Sequence, residues 1–197
     1  MAKMPAVFLV KPGSIERDEY GRILDARSSV TLIIRGQHTI IVDSGLCGEE
    51  ELILGELAKL GIEQEDVKSI INTHSDADHC GNNYLFSRAK TLKAKEGEVI
   101  APGVWVMETP GHSMDSISVV VETDDGASQS KTVVISGDAL PTFGNFIKNV
   151  PPALHVDRDN AIASMQRIIA LSDIVVPGHD FPFSIRRREY LSLPFKM

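Results

Sequence analysis

Apolar runs of four to seven residues, each closed by a turn residue, recur along this chain. AVFLV (6–10) predicts a strand halted by Pro12-Gly13, and VTLIIRGQHTIIVDSG (30–45) predicts two strands joined through Arg35-Gly36-Gln37-His38 as a hairpin. GEEELILGELAKLG (48–61) carries helical spacing. Ile53, Leu57 and Leu60 share a face, glutamates occupy the first turn, and Gly61 supplies the stop. VKSIINT (67–73) predicts a strand and NNYLFSRA (82–89) one or two helical turns. GVWVMETPG (103–111), SISVVVET (116–123) and KTVVISGD (131–138) predict three more strands, the last two flanking the polar loop DDGASQS. RDNAIASMQRIIALS (158–172) predicts a helix with Ile162, Met165 and Ile169 on its inner face and Asp157 or Asp159 as cap. DIVVPGHD (173–180) predicts a short strand and turn. Strand-rich halves with helices on one side of each predict two packed sheets with helices outside, in one domain spanning 1–197.

Composition narrows the class. With 197 residues, 43% hydrophobic and 24% charged, the chain has ordinary globular values and enough length for a substantial core. The formal net charge of −7 gives a nucleic-acid partner no support and weighs against membrane binding. Cys47 and Cys80 are the only cysteines, too few for a disulfide framework, so a reducing cytoplasm is expected. MAKMPAVFLVKPG lacks the long apolar core of a signal peptide, and no apolar run approaches the ~18 residues of a membrane span.

The chemistry concentrates in THSDADHCGN (73–82), where His74, Asp76, Asp78 and His79 fall within six positions. On a regular strand 74, 76 and 78 would share a face. On a helix 74 and 78 would lie together while 76 points away. A tight loop after a strand would divide the four groups between two ions. Three further phrases follow predicted strands: TPGHS with His112, SGD with Asp138, and PGHD with His179. Strand ends at one sheet edge converge on one pocket, and imidazoles with carboxylates suit Zn, Fe and Mn. The alternative, a solvated acidic helix start capped by Asp76 or Asp78, leaves the other three phrases unexplained.

In these phrases and their order, VTLIIRGQHTIIVDSG, NTHSDADHCGN, TPGHSMDSIS, VVISGDAL and VVPGHD, the chain resembles the metallo-β-lactamase-fold superfamily. The resemblance implies an α/β (α+β) fold, a four-layer αββα sandwich with metals at one edge of the sheets. It implies a first ion held by His74, position 76, His112 and Asp138. A second would be held by Asp78, His79, Asp138 and His179, with Asp43 supporting the site from behind. Asp76 departs from the family pattern, which has histidine there, although flavodiiron proteins of the superfamily also carry a carboxylate. Two divalent cations against Asp78, Asp138 and a hydroxide leave a net charge of about +1, and Asp76 lowers it to about zero. A harder ligand favours Fe or Mn over Zn, and the lost charge weakens the pull on anionic substrates.

The expected chemistry is hydrolysis of an ester, thioester, lactone or phosphoester of a small molecule by a metal-bridged hydroxide, with Asp78 aiming it. The rival is a mononuclear iron dioxygenase on a persulfide-type sulfur substrate. It would use His74, His112 and Asp138 as two histidines and one carboxylate. A homodimer is expected from family habit. Outside the motif phrases, His38 is expected on a hairpin, Cys80 as a buried small residue, and His155 on a segment overhanging the site. Arg186-Arg187-Arg188 is expected on a solvated or subunit-contact face.

Overall fold

The computed structural model of the protein describes residues 4–124 and 129–197. The first three residues of the N-terminal stretch and the centre of the expected loop DDGASQS lie outside these. In chain order the elements are β1 (Ala6–Lys11), β2 (Ser14–Arg17), β3 (Ile23–Arg27), β4 (Val30–Arg35), β5 (His38–Val42) and α1 (Glu50–Lys59). Then come β6 (Ser69–Ile71), α2 (Ala77–Cys80), β7 (Lys90–Leu92), β8 (Val99–Ala101), β9 (Val104–Glu108), β10 (Ile117–Asp124) and β11 (Ser130–Gly137). The last are α3 (Phe143–Lys148), α4 (Arg158–Leu171), β12 (Ile174–Pro177), β13 (Phe183–Ser184) and β14 (Glu189–Tyr190).

One sheet runs β1-β4-β5-β6-β7 and the other β14-β13-β12-β11-β10-β9-β8, with β2-β3 as a separate hairpin. The two large sheets face each other across Val42, Ile71, Val106, Val119, Val121, Ile135 and Val176. The first sheet turns Leu32, Ile41 and Ile70 outward against Ile53 and Leu57 of α1. The second turns Val120, Val134 and Val175 outward against Met165 and Ile168 of α4 and Phe146 of α3. The layers are therefore α, β, β, α, as the resemblance implied. Both faces of the central strands are covered, which is why VVV in β10 and IVV in β12 read as unbroken apolar runs instead of alternating ones.

Several expectations need correction. Leu60 does not join the buried face of α1; it sits at the C-cap, 39% exposed. The buried stripe of α4 is Ala161, Ser164, Met165 and Ile168, rotated from the expected one, so Ile162 and Ile169 lie at its margins. Packing against a twisted sheet sets that rotation, and periodicity alone does not. Asp157 is the cap, its carboxylate accepting from Asn160 N–H at 3.0 Å. Residues 82–89 contain a 3₁₀ turn, Asn83–Phe86. β2, β3, β7, β8 and α3 have no clear sequence signal, being only three to six residues long. The hairpin over 30–45 is β4–β5, closed by Arg35 opposite His38. Among the described residues no helix is long and apolar enough to cross a membrane.

Register places the strand ends. β5 pairs parallel with β6, Val42 opposite Ile71, so Asp43 and the segment from Thr73 onward leave the first sheet side by side. β11 pairs parallel with β12, Gly137 opposite Pro177, so Asp138 and His179 leave the second sheet together. His112 lies in the turn between β9 and β10, and Ile117 N–H donates to Thr73 O at 2.8 Å, joining the sheets at this edge.

Candidate metal centre

All four phrases meet here. The imidazoles of His74 and His79 are 4.0 Å apart by ring centroid, His74 and His112 4.8 Å, and His79 and His179 5.4 Å. Ligand atoms of His74, His112 and Asp138 lie within 4.8 Å of one another, and so do those of Asp78, His79 and His179. Asp138 faces both groups. Its Oδ1 is 3.1 Å from His179 Nε2 and 3.4 Å from His79 Nε2, while its Oδ2 is 3.7 Å from His112 Nε2. Asp78 Oδ2 lies 3.6 Å from His179 Nε2 and 3.7 Å from His79 Nε2.

Every histidine of the cluster is held from behind by Nδ1, leaving Nε2 turned inward. His79 Nδ1 meets Asp43 Oδ2 at 2.8 Å, His112 Nδ1 donates to Leu154 O at 2.8 Å, and His179 Nδ1 donates to Arg27 O at 3.0 Å. Thr73 Oγ1 donates its only proton to Asp43 Oδ2 at 2.8 Å, so towards His74 Nδ1, 3.1 Å away, it is the acceptor. Outer partners of this kind set the tautomer and aim of metal-binding imidazoles. Asp43 keeps φ at 56°, a strained backbone for a residue with a side chain, and Thr73 N–H holds it there by donating to Oδ1 at 2.7 Å.

The glycines of two motif phrases have steric reasons. A Cβ on Gly178 would stand 2.2 Å from Asp138 Oδ1, and one on Gly111, at φ +136°, 2.2 Å from Ala161 N. Only glycine lets those turns bring His179 against Asp138 and His112 against α4.

The donor set fits metal. His74 Nε2, His79 Nε2 and Asp138 Oδ1 are buried and lack a hydrogen-bond partner among the described residues, an arrangement costly without a ligand. Burial, and then the charge on His79, push the His74 imidazolium below its usual range. Burial also opposes charge on His79, but Asp43 and Asp138 outweigh it and raise His79 well above its usual value. Burial disfavours the Asp138 carboxylate too, yet the neighbouring His179 and His79 imidazoles hold it well below the ordinary range.

Asp76 stands at the N-cap of α2, where an aspartate usually accepts a backbone N–H. Its side chain makes no such bond. Oδ2 instead lies 3.4 Å from His112 Nε2 and 3.5 Å from His74 Nε2, with the side chain 58% exposed. Cys80 is half-buried, not buried, its Sγ 3.3 Å from Asp76 O. His38 lies exposed on the hairpin. The segment carrying His155 does overhang the site, but the contact is the Leu154 carbonyl on His112; His155 Nδ1 turns to Pro152 O at 2.7 Å. The three arginines form an exposed turn, with Arg188 stacked over Phe146 at 5.1 Å.

Beyond Asp43, which the resemblance implied and which meets His79 Nδ1, sequence reasoning missed the supports. The Leu154 and Arg27 carbonyls leave no trace in residue identity. A buried ion pair also went unseen. Lys11 Nζ lies 3.2 Å from Glu49 Oε1, the side chains 6% and 5% exposed, and donates to the Ser28 carbonyl beside Arg27. Glu49 Oε2 accepts from Leu46 N–H at 2.9 Å, and Ser29 N–H donates to Gly178 O at 2.7 Å. The pair therefore ties three loops together behind His179. Lys11→Met would leave Glu49 buried with Arg27, at 3.5 Å, as its nearest remaining cation, and is expected to lower unfolding free energy by about 3 kcal/mol, the lower end for breaking a buried pair. Urea denaturation with an unchanged m-value checks it.

A family model described as the metallo-beta-lactamase superfamily matches residues 25–102. A probable metallo-hydrolase of Methanocaldococcus jannaschii is 36% identical over 159 residues, covering 72% of this chain and 70% of that protein. An N-acyl homoserine lactonase of Bacillus thuringiensis is 29% identical over 163 residues, covering 67% of this chain and 63% of the lactonase. The solved structure of an N-acyl homoserine lactone hydrolase, with product bound at its catalytic metal centre, superposes with a TM-score of 0.74. Its identity is 22%, with coverage of 99% of this chain and 100% of that one. The chain belongs to the metallo-β-lactamase superfamily.

Proposed function

We propose that the protein is a dinuclear hydrolase of small-molecule esters, thioesters, lactones or phosphoesters. The observation that carries this is the set of four histidines held from behind with Nε2 turned inward around Asp78 and Asp138. His74, His112, Asp138 and Asp76 would hold one ion, and Asp78, His79, His179 and Asp138 the other. Divalent ions held by these residues would supply Lewis-acid chemistry and a coordinated water of pKa lowered to about 7. The protein's own contribution is orientation. Asp43, Thr73, Leu154 and Arg27 fix the imidazoles, and Asp78, 19% exposed at the side chain, is the carboxylate that accepts and returns a proton at the reacting centre. The similarity to a lactonase supports a carboxylic ester or lactone over a phosphoester.

His74, His112 and Asp138 also form by themselves the two-histidine, one-carboxylate group of a mononuclear iron oxygenase, so the test separates the two. Protein loaded with Zn, Fe or Mn is offered 4-nitrophenyl acetate, a γ-lactone and bis-4-nitrophenyl phosphate in an oxygen electrode cell. The expected result is two ions per chain, hydrolysis without O₂ uptake, loss of activity on chelation and recovery on metal return. Uptake of O₂ with glutathione persulfide, and hydrolysis of none of the panel, would overturn the hydrolase in favour of the dioxygenase.

A further inference from the structure

A groove of about 290 Å³ opens beside the centre, between the β2–β3 hairpin and the segment from Pro141 to Ala153. It touches the site at both ends of that segment. Pro141 O accepts from His179 N–H at 2.8 Å, and Ala153 precedes Leu154, whose carbonyl holds His112. Its walls carry Ile15 and Val150 as apolar surface, Arg17 on the hairpin and Lys148 at the end of α3. Among the described residues no aspartate or glutamate lines it, in a chain with formal net charge −7. Arg17 Nη1 donates to the Gly21 carbonyl at 2.9 Å, a neutral partner that steadies the guanidinium without cancelling its charge. The α3 wall is stiffened by Asn145, whose Nδ2 donates to Val150 O at 3.1 Å and Pro151 O at 3.0 Å.

We infer that this groove is a substrate subsite. It takes the non-reacting end of an ester or lactone, a short apolar stretch ending in a carboxylate or phosphate, held between Arg17 and Lys148. The inference rests on the hydrolase reading for where the reacting group lies. It also fits the charge of the centre. With Asp76 facing His74 and His112, anion recognition shifts from the metal edge, where charge is offset, to a groove where cations stand without carboxylates. Ile15 and Val150 would cover the aliphatic stretch, and water screening limits what two exposed cations contribute.

The test uses the metal-loaded protein and binding as the readout. Adipate, 6-phosphonohexanoate and hexanoate share a carboxylate for the metal edge and differ at the far end. Calorimetry is expected to give at least one of the two-ended anions about tenfold tighter binding than hexanoate, the scale of two partly exposed ion pairs. The tighter of the two identifies the terminal group. The preference should vanish in Arg17→Ala/Lys148→Ala and fade at high salt, with metal content and hexanoate affinity unchanged. Equal binding of all three, or a preference that survives the double substitution, would overturn the subsite. Absence of ester hydrolysis with the preference intact would instead count against the hydrolase reading and leave the subsite standing.

Discussion

Asp138→Ala protein is expected to purify with little bound metal and no hydrolytic activity above background. Asp138 is the carboxylate that faces both ligand groups, 3.1 Å from His179 and 3.7 Å from His112. Its removal would take a negative charge from each. It would also leave His79 and His179 turned towards a space with one carboxylate fewer. Loss of an outer partner costs about 10–100-fold in metal affinity, so loss of a shared ligand should exceed ~100-fold for both ions together. Metal analysis after dialysis, with competition against a chromogenic chelator, reads the effect. His38→Ala, on the exposed hairpin, should retain metal and activity. Loss of one ion with full retention of the other would assign Asp138 to a single site and end the bridging role.

Asp76→His is expected to change metal preference and anion sensitivity together. A carboxylate oxygen suits Fe and Mn, whereas an imidazole nitrogen suits Zn better, and the substitution restores about one unit of positive charge to the centre. Grown in equal Zn, Fe and Mn, the variant should take a larger share of Zn than wild type. Inorganic phosphate should inhibit it at lower concentration. The geometry motivating this is the unused cap. An aspartate at the head of α2 that makes no capping bond, and lies 3.4 and 3.5 Å from two imidazoles, is oriented towards them. Because nothing is lost from the cap, stability should change little. Unchanged metal preference and unchanged phosphate inhibition would remove Asp76 from the ligand set.

The chain's own spelling determines more of this protein than its modest length suggests. Apolar runs over 30–34, 40–42, 117–121 and 133–135 declare strands with largely buried faces, and the helical spacing of Ile53 and Leu57 declares α1, because burial repeats with the period of the element. The candidate ligands are legible for a related reason. Each lies in a phrase that follows a strand, and beside His112 and His179 the glycines Gly111 and Gly178 show why. Their turns leave no room for a Cβ. What local spelling does not carry is decided by contacts between residues far apart in sequence. The stripe of α4 rotates to meet a twisted sheet. The parallel register of β11 with β12 brings Asp138 beside His179 across 41 positions. The Leu154 and Arg27 carbonyls that aim His112 and His179 are backbone groups common to every residue type, and Lys11 finds Glu49 only after three loops converge. Spacing alone left the direction of Asp76 open, since strand, helix and loop each aim it differently. The fold chooses, because α2 begins at that residue and β9–β10 sets His112 in front of it.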